Sequence, residues 1–183
     1  SAGSLVGALL RVGVSAEELV ALARRDPSLP LPAHLHALQR ASVADTPSAL
    51  DVLLGVRPPT LGSVADTLRH RSPWPWLLSW SRAAPVDLRP LFAELDRLSG
   101  ASWPDGDLKV CAVSASDGER RVLDATSGVE LSQAVAASCA VPGLFRPQLV
   151  DGERLVDGGV RSVTNVDALD FNSRHGFSFF AYW

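Results

Sequence analysis

Two short stretches carry the side chains that could do chemistry. At one end of the sequence stands "SAGSLVGALLRVG", where Ser1 opens a small-residue turn that runs directly into a helical pattern. Far along the chain stands "VDGGVRSVTN", where Asp157 closes a strand-like run and Gly158 and Gly159 permit a sharp bend after it. A serine hydroxyl at a helix amino end sits beside partial positive charge that favours a developing alkoxide. A carboxylate held against that hydroxyl in a shaped, dry site can take its proton as general base. The chemistry so assembled is nucleophilic attack by an activated serine. Taken alone, Asp-Gly-Gly is also an ordinary hairpin turn.

The rest of the sequence must bring these two stretches together. Leu5, Val6, Leu9, Leu10 and Val12 recur with near-helical spacing, and Gly13 is a stop. "SAEELVALARR" begins a second helix with a capping box, Ser15 and Glu18. From 26 to 104 the text is irregular and proline-rich, with short amphipathic helices around Pro47 to Leu54, Leu61 to Leu68 and Leu88 to Leu98. Thr46 caps the first of these, and Gly55 and Gly100 mark helix ends. Leu108 to Ser114 reads as a buried strand, Asp117-Gly118 as a tight turn, and Arg121 to Leu123 as the returning strand. "ELSQAVAASCAVPG" follows as a small-residue helix, then "PQLVDGERLVDGG" as a hairpin with Asp151-Gly152 at its tip. Helix, insert, strands, helix and hairpin together indicate an α/β layered fold.

With 183 residues the chain suits one domain. Its 46% hydrophobic and 20% charged residues are ordinary globular values, and its uncharged runs fall short of a membrane span. The expectation is a soluble protein, cytoplasmic or peripheral to a membrane. A formal net charge of -3 argues against nucleic acid as a partner, which needs a concentrated basic face; "RHR" at Arg69 to Arg71 reads as solvated surface. Cys111 and Cys139 form no metal-spaced pair and read as small buried apolar residues. No cluster of His, Cys or carboxylates has ligand spacing, so neither metal nor cofactor is implied.

Ser1-Ala2-Gly3 resembles the last three letters of the nucleophile elbow G-x-S-x-G. Together with "AVAASCAVPGLFRPQLVDGERLVDGGVRSVTNVDAL", the sequence resembles the patatin-like phospholipase family over its opening helix and from about Trp103 to Leu169. The resemblance implies a three-layer α/β/α fold with a central mixed sheet, lacking its N-terminal part, and hydrolysis of acyl esters of lipids by a Ser-Asp dyad through an acyl-enzyme. It makes Ser1 the nucleophile, Asp157 the base, and Gly3, Gly158 and Gly159 the supporting turns. Ser138, Cys139 and Pro142 fall in the family's helix-to-loop segment and serve packing. The family needs no catalytic histidine, in keeping with the unremarkable contexts of His34, His36, His70 and His175.

Two departures qualify that resemblance. The family's glycine-rich oxyanion loop lies upstream of the elbow, and here it, its strand and the first two elbow letters are missing. Only the Ala2 backbone N–H stands in its place, and an oxyanion donor is worth about 10²–10³ in turnover. The expectation is therefore a fragment that begins at the nucleophile, with little or no activity as an isolated chain. The tail from 170 to 183, "DFNSRHGFSFFAYW", is aromatic-rich and lacks the strand alternation expected there.

Trp74, Trp76 and Trp80 cluster in "SPWPWLLSWS" and are read either as a lipid-facing lip or as filling a core beneath the insert. Three other functional readings compete. One is an N-terminal-nucleophile hydrolase in which the Ser1 amine is the base. A second is a triad of Ser1, Asp157 and His175. The third is a noncatalytic remnant or interaction module with the same fold.

Overall fold

A computed structural model of the chain describes residues 2–24, 35, 87–100, 102–105, 107–162 and 165. The opening helix α1 spans Ala2–Arg11 and ends where Gly13 adopts φ +96°, a conformation that glycine reaches without a Cβ penalty. Helix α2, Ala16–Arg24, starts on the expected capping box: the Ser15 backbone N–H donates to Glu18 Oε2 at 2.8 Å, and the Glu18 N–H donates to Ser15 Oγ at 3.2 Å. Helix α3, Arg89–Leu98, has Pro90 in its first turn, where the missing N–H costs nothing. Strands β1 (Val110–Ser114) and β2 (Arg120–Leu123) follow, then helix α4 (Leu131–Cys139), strands β3 (Gln148–Val150) and β4 (Glu153–Asp157), and a 3-10 turn at Gly158–Val160.

The four strands form one sheet in the order β2-β1-β4-β3, antiparallel at every pairing among the described residues. The β3–β4 tip is the expected Asp151-Gly152, with φ of +49° and +80° at its two central residues. Positive φ at both positions is the hairpin geometry that matches strand twist. The first hairpin turns more widely than an Asp-Gly pair would: the Ser114 N–H donates to the Glu119 carbonyl and the Gly118 N–H to the Ser114 carbonyl, each at 2.9 Å. Asp117 Oδ1 then accepts the Glu119 N–H at 2.7 Å, so a side chain completes the turn.

Every residue of β1 is buried, as a central strand requires. Val110 and Ala112 join Leu123, Val150 and Leu155 in the main core, whereas Val113 and Val156 pack with Ala115 on the other face. Helix α4 lies over the main-core face, against β1, β3 and β4. Its residues 134–138 are all buried, because α1 and α3 pack on α4 from outside, and small side chains let the helices approach. Helix α3 also caps α4: Asp96 Oδ1 accepts the Ser132 N–H at 3.1 Å, replacing the side-chain cap that Glu130 does not supply. The α1 face turned inward is smaller than its leucines suggest: Gly3, Gly7, Ala8 and Leu9 are buried, while Val6 is exposed.

Of the proline-rich stretch between α2 and α3, Leu35, Asp87 and Leu88 are described; Leu35 is helical and fully buried, and Leu88 is buried too. The helices expected around Pro47 to Leu54 and Leu61 to Leu68, the cluster of Trp74, Trp76 and Trp80, and the tail from 170 to 183 lie outside the described residues. No helix among the described residues is long and apolar enough to cross a membrane.

Candidate active site

Strand β4 delivers Asp157 to the end of the sheet. Alternation along a strand sends Leu155 and Asp157 to one face, and Leu155 belongs to the core that α4 covers. The cross-strand partner of Asp157 is Ala112, whose methyl leaves room beside the carboxylate. The Asp157 backbone N–H donates to the Ala140 carbonyl at 3.0 Å, which ties the strand end to the residue that follows α4. Residue 157 is only 7% exposed.

The carboxylate is aimed by its own turn. Asp157 caps the 3-10 turn, and its Oδ1 accepts the Gly159 N–H at 2.6 Å. An Asp side chain bonded to the backbone two residues on is a common way of starting a tight bend. Both glycines have steric reasons to be there. A Cβ on Gly158 would overlap the Cys111 carbonyl oxygen and lie 2.9 Å from its carbon; one on Gly159 would stand 3.0 Å from Asp157 Oδ1. Arg161, which follows the turn, fastens it to the first hairpin, with Nη1 donating to the Gly118 carbonyl at 3.0 Å and to Glu119 at 2.7 Å.

The opening helix meets the same corner. Ser4, in the first turn of α1, places Oγ 3.6 Å from Cys139 Sγ, at the last residue of α4. Cys139 and Ala140 thus touch the first turn of α1 on one side and the Asp157 strand end on the other. Burial pushes the Cys139 thiol above its ordinary value; the negative charge of Asp157 pushes it the same way, and the hydrogen bond with Ser4 opposes them. A thiol so raised stays protonated near neutrality and serves as packing.

Ser1 and the histidines His34, His36, His70 and His175 lie outside the described residues. Ala2 is the first residue of α1, where backbone N–H groups have no partner within the helix and the dipole favours negative charge. Gly3 is buried in the same turn. Asp157, Gly158 and Gly159 therefore form one turn, and Ala2 and Gly3 one helix start, with Cys139 and Ala140 between them. No group of three or more His, Cys, Asp or Glu among the described residues could hold a metal ion. Asn165, at the end of "VDGGVRSVTN", carries no role in the sequence reading, yet it is buried against this turn. The available signal is its residue type, since asparagine tolerates the positive φ, +48°, found there.

Compared with protein families, residues 1–170 match the family model described as Patatin-like phospholipase. No curated protein and no solved structure matches the chain.

Proposed function

Because the chain belongs to the patatin-like phospholipase family, a family of lipid acyl hydrolases, we propose that it carries the reacting groups of a serine acyl-ester hydrolase, with Ser1 as nucleophile and Asp157 as base. The Ser1 Oγ attacks the acyl carbonyl carbon while the Asp157 carboxylate takes its proton. The tetrahedral oxyanion collapses, the carbon–oxygen bond to the alcohol breaks, and the proton held by Asp157 passes to the departing oxygen. Asp157, ionised again, then takes a proton from water as that water attacks the acyl-Ser1 ester. Collapse of the second intermediate releases the fatty acid, and Ser1 recovers the proton. The Ala2 N–H and the amino end of α1 contribute to stabilising the oxyanion, and with these donors alone turnover is expected to be low.

The observation that carries this reading is the shared corner at Cys139 and Ala140. It joins the first turn of α1, three residues beyond Ser1, to a carboxylate that is buried yet held in one orientation by the Gly159 N–H. A fixed base beside a helix amino end is what an activated serine requires. The lipid class, and any contact of Trp74, Trp76 and Trp80 with a membrane, belong to the same proposal as its substrate side.

The test is covalent trapping. A fluorophosphonate, which phosphonylates an activated serine hydroxyl, is incubated with the intact protein and the modified peptide is mapped by mass spectrometry. Modification of Ser1, lost in Asp157→Asn, supports the dyad. Modification of another serine, or Ser1 labelling that persists undiminished in Asp157→Asn, overturns it.

A further inference from the structure

One peptide group links the Asp157 carboxylate to a side chain several residues on. The N–H of Gly159, which donates to Asp157 Oδ1 at 2.6 Å, shares a planar peptide unit with the Gly158 carbonyl. That carbonyl accepts the Asn165 side-chain amide, Nδ2 to O, at 3.3 Å. It also accepts the backbone N–H groups of Arg161 at 3.3 Å and Ser162 at 3.4 Å. In a trans peptide the C=O and N–H point in opposite directions, so fixing the carbonyl at one end aims the N–H at the other.

Asn165 is itself held from several sides. It is only 6% exposed. Its Nδ2 donates a second bond to the Ser162 carbonyl at 2.8 Å, and its backbone N–H donates to Ser162 Oγ at 3.1 Å. Its Oδ1 faces Arg120 Nη1 at 3.5 Å, at the start of β2. The backbone at 165 sits at φ +48°, which carries a conformational cost for a residue with a Cβ. A buried amide with both ends engaged, kept on a left-handed backbone, is built to hold its neighbours.

We propose that Asn165 is the positioning residue of the site: acting through the Gly158–Gly159 peptide, it sets the orientation of the Asp157 carboxylate. The proposal rests on the reading of Asp157 as the base, and it goes beyond the dyad by naming what aims it. Asn165 never touches substrate. Removing its amide leaves the Gly158 carbonyl held by the Arg161 and Ser162 N–H groups of the turn alone, which loosens the peptide, weakens the Gly159 N–H bond to Oδ1 and relaxes the aim of the carboxylate.

Two variants test it in the intact protein. Asn165→Gly removes the amide while keeping a residue at ease with positive φ, so backbone strain does not confuse the result. Asn165→Asp keeps the size and replaces the donor with an oxygen facing the Gly158 carbonyl. Both are compared with Asp157→Asn for hydrolysis of a short p-nitrophenyl ester, and exchange of the Gly159 amide proton is followed by NMR in labelled protein. The expected result is kcat lower by roughly ten- to a hundredfold with KM within about twofold, because misplacing a catalytic group costs turnover more than binding. Gly159 amide exchange accelerates by at least about tenfold while the β1 amides keep their protection, since the opening is local. A Gly159 amide unchanged in both variants overturns the proposal, and so does a freed amide with wild-type kcat. If Asp157→Asn retains full turnover, it is the base assignment that has failed, and the Gly159 amide alone then decides whether Asn165 aims the turn.

Discussion

Gly158 lies on the backbone of Cys111, so close that the smallest side chain would overlap the Cys111 carbonyl oxygen. The contact wedges the turn after Asp157 against the central strand, at the point where Ala112 pairs with Asp157. Gly158→Ala is therefore expected to lower unfolding free energy by about 1–3 kcal/mol, the usual cost of overpacking. Gly128→Ala is the control: its φ is +69° but nothing lies within 4 Å of the added methyl, so only backbone strain of about 1–2 kcal/mol remains. Denaturant unfolding of the two variants checks the stability ranking, and ester hydrolysis checks that only Gly158→Ala disturbs the site.

Asp157→Asn separates chemistry from structure. The asparagine Oδ1 still accepts the Gly159 N–H, so the turn is expected to persist and stability to stay within about 1 kcal/mol of the parent. The proton acceptor is lost, and a general base contributes about 10²–10⁴ in rate. Steady-state kinetics on a short ester, beside a thermal melt, reads both. A variant that melts early and loses activity in proportion would assign Asp157 to the scaffold.

Cys139 gives a pH-dependent readout of the corner. Its raised thiol leaves less thiolate at pH 8 than an ordinary cysteine has, and thiolate is the reactive form. Alkylation by iodoacetamide is expected to be slower at pH 8 than for a small free thiol, and to keep rising above the ordinary value of 9.0. Cys139 is half-buried and Cys111 is buried, so peptide mapping must accompany the rate measurement. Labelling of Cys139 as fast as a free thiol at pH 8 would mean that the α1–α4 corner is open.

The acid side of the stability curve belongs partly to Asp124, just after β2. Its Oδ1 accepts from Thr126 Oγ1 at 2.7 Å, Thr126 N at 2.9 Å and Ser127 Oγ at 3.2 Å. The Thr126 hydroxyl bond leads in holding its carboxyl below the ordinary value of 3.8, with burial opposing. A carboxyl depressed on folding stabilises the protein above its unfolded value, and that contribution is lost as pH falls from about 4 through the lower folded value. Asp124→Asn should thus be less stable than the parent at pH 7 and converge with it as pH falls through the lowered folded value. Urea midpoints across that range check the sign; parallel curves would remove Asp124 from the account.

What could be read in advance follows the range of the interactions. The Ser15–Glu18 box, the Asp151-Gly152 tip, the end of α1 at Gly13 and the helix ending near Gly100 depend on residues within a few positions of each other, so residue type announces them. The pairing of β1 with β4, the Asp96 cap on Ser132 and the Ser4–Cys139 contact join distant segments, and no local pattern encodes them. Asp157 and its glycines were legible because the motif is contiguous. Asn165 was not, because its role depends on where the chain returns after the turn. On α1 the spacing of Leu5, Leu9 and Val12 was readable and all three join or pack against the core, whereas the burial of Gly3 and Gly7 depends on what the helix packs against and not on a local pattern.

The Ser4–Cys139 contact spans 135 positions of sequence, whereas the Asp157 turn closes on itself. Loop-closure entropy grows with separation, and long-range contacts form slowly. The two sides of the candidate site therefore have different histories. The carboxylate side is expected to assemble early with its hairpins, and the helix side to dock last and detach first on warming. Function in this molecule is thus expected to fade at temperatures where the sheet is still intact, with the docking of α1 onto α4 as the event that governs inactivation.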